Sequence, residues 1–465
     1  MAADGQGAQP MRDLAFAFIW IGLLPLITVS ANAGALVWVW TALLSPNEML
    51  YGFLSDVPFN KVVALFTVFR IVSDKEKDPY FDITLVLLIL LAMASTASWL
   101  SGLVSTEGST DLYEKLLKEI VLAFVLTAVI TTRARIDRLI IVIIIALGFL
   151  SVKEGLIFLL TGGGHHILGN GALGDNNGLA MVLLMIIPLI WYLARYSVVK
   201  IVRIGLWSTL ALSLVTVLAT YSRGGLIGMV VLGAFAIKNS RRRIASLCLV
   251  AVAAVTLYAM APDTWFNRMD TIETADSDAS FVGRIIAWKV SLLIALDNPL
   301  FGGGMHAVQD PFVWDTYVVD IDRVNFINTP PPVSSSAHAA HSIYFEILGD
   351  MGFVGLTLFL AIIGIALWNC RQLYRMSRAH PSLAWAGYLA RMLQISLVVY
   401  LVTGAALSQG YLELLYMLIA LVSRTYRTAR LSLLEETAAE KALRVGSARM
   451  RSGFESLTGP PPRLA

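Results

Sequence analysis

Residues 261–355 read APDTWFNRMDTIETADSDASFVGRIIAWKVSLLIALDNPLFGGGMHAVQDPFVWDTYVVDIDRVNFINTPPPVSSSAHAAHSIYFEILGDMGFVG, and this stretch decides the architecture. It is the one long polar interruption in a chain otherwise made of apolar runs. Twelve of its residues are Asp or Glu against four Lys or Arg, although very apolar segments flank it on both sides. Such a stretch reads as a loop held on the side of a bilayer that Lys and Arg avoid.

The rest of the chain agrees. Of its 465 residues 57% are hydrophobic and 14% charged, with a mean hydropathy of +0.72; soluble domains carry roughly 25% charged residues. Candidate spans fall at 14–29, 32–45, 59–72, 83–104, 115–132, 138–160, 178–195, 203–220, 224–238, 244–260, 342–369, 388–407 and 410–423. The expected fold is an all-α polytopic membrane protein of about 12–14 transmembrane helices, each sized for ~30 Å of hydrocarbon. A β-barrel is excluded because the runs do not alternate. Cys248 and Cys370 lie at or inside apolar spans, so neither a disulfide framework nor a metal knuckle is expected. The polar start MAADGQGAQPMRD leads into a run that Pro25 interrupts, without a small-residue cleavage pattern, and reads as an anchor.

Basic clusters orient the helices. They are Lys75/Lys77, Arg133/Arg135/Arg138, Arg195/Lys200/Arg203, Lys238/Arg241/Arg242/Arg243, Arg371/Arg375/Arg378 and Arg424/Arg427/Arg430. Successive clusters are separated by an even number of spans, so all fit on the cytoplasmic side. The expected units are an N-terminal bundle (1–260), a large outer loop or lid (261–340), C-terminal transmembrane helices (341–423) and a cytoplasmic tail (424–465). The tail reads as a short amphipathic helix followed by disorder, either solvated or resting on an anionic membrane surface.

Against that topology three residues stand out. Arg223, in TYSRGGLIGMV, lies one span from cytoplasmic Arg203 and one span from cytoplasmic Arg241, so it must sit near the opposite face. A guanidinium beside helix-start N–H groups suits phosphate, whereas the bland alternative is an arginine snorkelling to the interface. Arg284 opens RIIAWKVSLLIAL, whose apolar residues recur at helical spacing; this predicts an amphipathic helix on the outer face with Arg284 in its first turn. His341 precedes a long span, where an imidazole can move a proton near neutral pH. His338 and His341 have i, i+3 spacing that could hold a metal, but no third ligand is evident. Glu346 and Asp350 enter the same span, where carboxylates are costly unless paired or wet. Asp175, Asn176 and Asn177 can cap the next span, or alternatively contact sugar hydroxyls or phosphate. The glycines 302–304 read as a backbone hinge.

Taken together, SRGG at 222–225, GR at 283–284 and the H-S-x-Y-x-E pattern that begins at His341 resemble the O-antigen ligase/polymerase superfamily of membrane glycosyltransferases, whose D-x-N also looks like Asp175–Asn177. MRDL at 11–14 and LSPNEMLYGF at 44–53 further resemble an exosortase-associated O-glycosylation ligase branch. Ser342 departs from the family, where Asn is frequent. The resemblance implies a GT-C-like enzyme of the bacterial inner membrane with its active site facing the periplasm. It would move a glycan from an undecaprenyl-diphosphate carrier to a glycan, lipid A-core or protein hydroxyl, without metal or other cofactor. Arg223, Arg284 and His341 are then the expected catalytic residues. Asp175, Asn177, His338, Tyr344 and Glu346 join the two arginines as expected substrate contacts. A repeat-unit polymerase is the nearest alternative and a lipid-linked oligosaccharide flippase the next. A flippase would carry charges deep in several spans, whereas here they gather at one face. Nothing in the sequence suggests nucleic acid.

Overall fold

A computed structural model describes residues 8–48, 50, 54–75, 77–165, 167, 175–239, 279–324, 326–329 and 337–457. The span expected at 244–260, the cluster Arg241–Arg243, Cys248, His166 and loop residues 261–278 lie outside the described residues. Among the described residues there are fourteen α-helices and no strand, so the protein is an all-α polytopic membrane protein. The helices are α1 (Ala8–Val29), α2 (Ala31–Leu44), α3 (Phe59–Ser73), α4 (Ile83–Ser101), α5 (Glu107–Val129), α6 (Arg133–Leu160), α7 (Asn176–Tyr196), α8 (Lys200–Ala219), α9 (Arg223–Asn239), α10 (Ala279–Asp297), α11 (Pro311–Val318), α12 (Ile343–Ala379), α13 (Ala384–Thr403) and α14 (Glu413–Leu457). Six stretches are long and apolar enough to cross a membrane: α4, α6, α7, α8, α12 and residues 381–406, which contain α13.

Helix starts follow local chemistry. Ser30, Asp82, Thr106, Thr132, Asp175 and Asp310 each turn a side-chain oxygen onto a first-turn N–H, which satisfies a donor the helix itself cannot. The bundle is organised around α7, nearly all of which is buried. It packs against α6, α8, α9 and α13. Small and hydroxylated residues let α6 and α8 approach closely: Thr216 donates to the Ser151 carbonyl at 2.7 Å, and Ser213 to the Ser151 hydroxyl at 3.0 Å. On the perimeter, Leu65, Phe69, Phe149, Leu160, Ile201 and Val230 are exposed, the surface a bilayer would cover.

Side-chain contacts sort the two ends of the bundle. At one end Arg424 bonds Asp78 and the carbonyls that finish α5, and Arg133 stacks over Tyr196 and Trp385. At the other, Ser98 and Leu103 bond residues 350 and 303. Basic clusters from three parts of the chain thus share one end, as the sequence requires.

The region around α10 departs from expectation. α10 begins at Ala279, so Arg284 falls in its second turn rather than its first. α10 packs against α12, and its apolar face is covered by protein. Ile286, Val290, Leu293 and Ile294 enclose a separate small core with Val104, Val308, Val313, Trp314 and Ile321. The glycines 302–304 are not a hinge either. Gly303 and Gly304 donate to the carbonyls of Gly349 and Asp350 at 2.8 and 3.1 Å, locking the loop against a break in α12 at Gly352 (φ 64°, ψ −165°). The boundary expected at 423–424 falls inside α14, which runs unbroken to Leu457.

Candidate functional site

Two helix starts and the outer-loop core converge at the end opposite the Arg424 cluster. α7 begins there because Asp175 accepts from the N–H groups of Asn177 and Gly178 at 3.1 and 2.9 Å. The Asn177 amide closes back onto Asp175 at 2.6 Å. Capping therefore accounts for both side chains locally, while Asp175 itself remains exposed. Beside it, Asn176 donates to the Thr220 carbonyl at 2.6 Å, and a Cβ on Gly225 would stand 3.1 Å from that of Ala180. The start of α9, and Arg223 as its first residue, is thus held next to Asp175. Tyr221 takes a left-handed conformation (φ 51°) to turn the chain into α9. Of the N–H groups at the start of α9, that of Gly225 donates to the Ser222 hydroxyl at 3.0 Å.

α10 supplies the other cation. Gly283 brings its backbone beneath His338, whose ring atoms Cδ2 and Nε2 would stand 3.6 and 3.9 Å from a Cβ there. Trp314 meets the same ring edge-on at 5.5 Å. One turn past Arg284, the Trp288 indole donates to the Ala340 carbonyl at 2.7 Å, which fixes the approach of the chain to His341. Arg284, His338 and Asp175 all act electrostatically on His341.

His341 is half-buried and left-handed (φ 45°). Burial pushes its imidazole below the ordinary histidine range, and the Arg284 guanidinium pushes it the same way; Asp175 opposes them and His338 adds to the depression. The neutral ring that results is the form able to accept a proton near neutral pH.

The remaining expected contacts are engaged elsewhere. Tyr344 donates its hydroxyl to the Leu401 carbonyl at 2.9 Å. Glu346, expected at the substrate, is buried and accepts the Gly410 N–H at 2.7 Å. Asp350 accepts from the Tyr411 hydroxyl at 2.8 Å and the Ala307 N–H at 3.3 Å. Buried carboxylates take whatever donors lie within the fold, and here the loop after α13 presents them. His165, by contrast, pairs with Glu154 at 2.7 Å. Sequence reasoning passed over Trp288 and Ser408. The polar break SQGYLE between the last two apolar runs was the available signal for Ser408.

The fold and site define a multi-pass helical membrane protein with an arginine–histidine cluster at one mouth of its bundle. Residues 208–360 match the family model described as O-antigen ligase, which supports a place in the O-antigen ligase superfamily. Arg223, Arg284 and His341 all fall within the match. Residues 11–198 match a family whose function is unknown. No curated protein matches the chain.

Proposed function

We propose that this chain is a glycosyltransferase of the inner membrane. It would transfer a glycan from a polyprenyl diphosphate, with undecaprenyl diphosphate as the expected carrier, to an acceptor hydroxyl at the periplasmic face. The observation that carries the reading is the convergence of Arg284 and His338 on His341 within the O-antigen ligase match, with Asp175 at the start of α7 facing the same imidazole. The acidic loop and the sorting of basic clusters to the opposite end support the sidedness.

In this reading the acceptor oxygen attacks the anomeric carbon as the bond from that carbon to the diphosphate oxygen breaks. The acceptor's proton passes to neutral His341. Arg284 and Arg223 meet the negative charge that grows on the departing diphosphate, through charge-assisted and bidentate bonds. The two cations carry this neutralisation without a metal. Asp175 and His338 then set the charge balance at the imidazole. Asn177 stands beside the site as a sugar contact, whereas Tyr344 and Glu346 hold the site's frame.

The test is single replacement of Arg223, Arg284 and His341 by Ala, following surface glycan and lipid-linked precursor together. Each is expected to lower transfer ~10²-fold or more at unchanged protein level, with precursor accumulating outside the membrane. Precursor trapped on the cytoplasmic side would instead mark a flippase. The chemistry is shared by a ligase, which we favour from the family match and the resemblance to the exosortase-associated branch, and by a repeat-unit polymerase. Loss of long chains with single units still attached would mark the polymerase.

A further inference from the structure

The peptide unit between Ala340 and His341 is held at both of its polar ends. Its carbonyl accepts the Trp288 indole N–H at 2.7 Å, and its N–H donates to the Ser408 hydroxyl at 2.8 Å. These partners come from opposite sides: Trp288 from α10, one turn beyond Arg284, and Ser408 from the loop between α13 and α14. The residue so held is one of four described non-glycine residues with positive φ. That conformation is unfavourable for a side chain with a Cβ and persists where surrounding structure imposes it.

Both holders are themselves braced. The Trp288 ring lies parallel to Phe345, with centroids 5.1 Å apart and planes within 5°. Phe326 continues the stack at 6.4 Å. The Ser408 loop is fastened to α12, which starts two residues after His341. Gly410 donates to Glu346 at 2.7 Å and Tyr411 to Asp350 at 2.8 Å, one and two turns into that helix. The two buried acids thereby acquire a role: they tie the loop that carries Ser408 to the helix that follows His341.

We infer that Trp288 and Ser408 are positioning residues for His341, and that their shared peptide clamp sets the imidazole against Arg284 in a strained backbone. The inference rests on the assignment of His341 as proton acceptor in glycan transfer. Neither residue touches the reacting atoms, so their effect falls on the chemical step and not on capture of the donor. A misplacement of about 1 Å at a reacting group can lower a rate ~10²-fold, which bounds the effect of releasing the clamp.

The test uses the full-length protein in detergent or nanodiscs, with lipid-linked donor and acceptor, and measures kcat and KM separately. Ser408→Ala removes the acceptor for the His341 N–H, and Trp288→Phe removes the indole donor while keeping a ring against Phe345. Each is expected to lower kcat by roughly 10- to 100-fold, with donor KM within about twofold of the parent. Ser408→Thr, which keeps the hydroxyl, is expected to recover most of the rate. In a His341→Ala background Ser408→Ala should have no further effect, since the group it positions is gone. Parental kcat in both single variants, with His341→Ala inactive, overturns the clamp. So does a loss confined to KM, or a Ser408→Thr variant as slow as Ser408→Ala. A fully active His341→Ala variant strikes instead at the assigned role of His341, which keeps the two failures apart.

Discussion

Gly302 and Gly352 meet backbone to backbone. A Cβ on Gly302 would stand 2.5 Å from the Gly352 amide nitrogen, and one on Gly352 would stand 2.8 Å from that of Gly302. Both residues have positive φ, 67° and 64°. This contact seats the outer-loop core on the break in α12, eleven residues after His341. The placement of α10, which carries Arg284, against α12 therefore depends on it.

Gly302→Ala and Gly352→Ala are each expected to destabilise the protein by about 1–3 kcal/mol through backbone strain, and more where the Cβ meets main chain that cannot move. The thermal midpoint of the purified protein reads this directly. Gly364→Ala is the control, because nothing lies within 4 Å of its Cβ position on the same helix. It should leave the midpoint unchanged or raise it, as Ala is the better helix former. Unchanged midpoints for the first two variants would mean that the contact is slack.

On the proposed mechanism, the neighbours of His341 set the pH dependence of transfer. Asp175 favours its protonated form and His338 disfavours it. Loss of the carboxylate in Asp175→Asn, which still caps a helix, lowers the imidazole pKa further. The ring then stays neutral to more acid pH, and the acid limb of the kcat profile moves to lower pH. His338→Gln removes an opposing influence, so the limb moves to higher pH. Profiles shifted in the same direction by both variants would contradict the assignment of His341 as the proton acceptor.

At the other end, the Arg424 side chain is 1% exposed and spans several acceptors. Its Nε donates to the Ile130 carbonyl at 2.7 Å, one Nη to the Thr127 carbonyl at 3.2 Å and the other to Asp78 at 2.9 Å. It closes the orphan carbonyls at the end of α5 with a cation, which also suits the helix dipole. Arg424→Met is expected to destabilise by about 3 kcal/mol, the lower end for breaking a buried pair because Asp78 is partly solvated. Arg424→Lys should recover little, since an ammonium lacks the planar fork that reaches separate carbonyls. Thermal unfolding of the three proteins decides it, and a full rescue by Lys would mean that charge alone matters there.

Much of the candidate site was legible in the chain. Arg223 betrayed itself by lying one span from basic clusters on either side, a constraint of bilayer thickness and not of local propensity. His341 and Arg284 were visible as polar residues where the acidic loop meets apolar runs. The partner of Glu346 was not legible for a physical reason: a carboxylate near the mouth of a helix has the same sequence signature whether it meets a sugar or a backbone N–H from a loop 64 residues away. What covers α10 was not legible for a related reason. An apolar stripe at helical spacing states that a face is covered, and lipid or protein covers it equally well.

Composition and the sorting of charge were sufficient to determine a helical multi-pass protein and to single out its one long polar interruption. These follow from the hydrocarbon's intolerance of unpaired backbone and charge, which acts on each segment separately. Only the tertiary structure decided what covers α10, what the buried acids hold, and which groups grip the peptide before His341. Those outcomes depend on contacts between segments far apart in the chain, where partners are chosen by geometry.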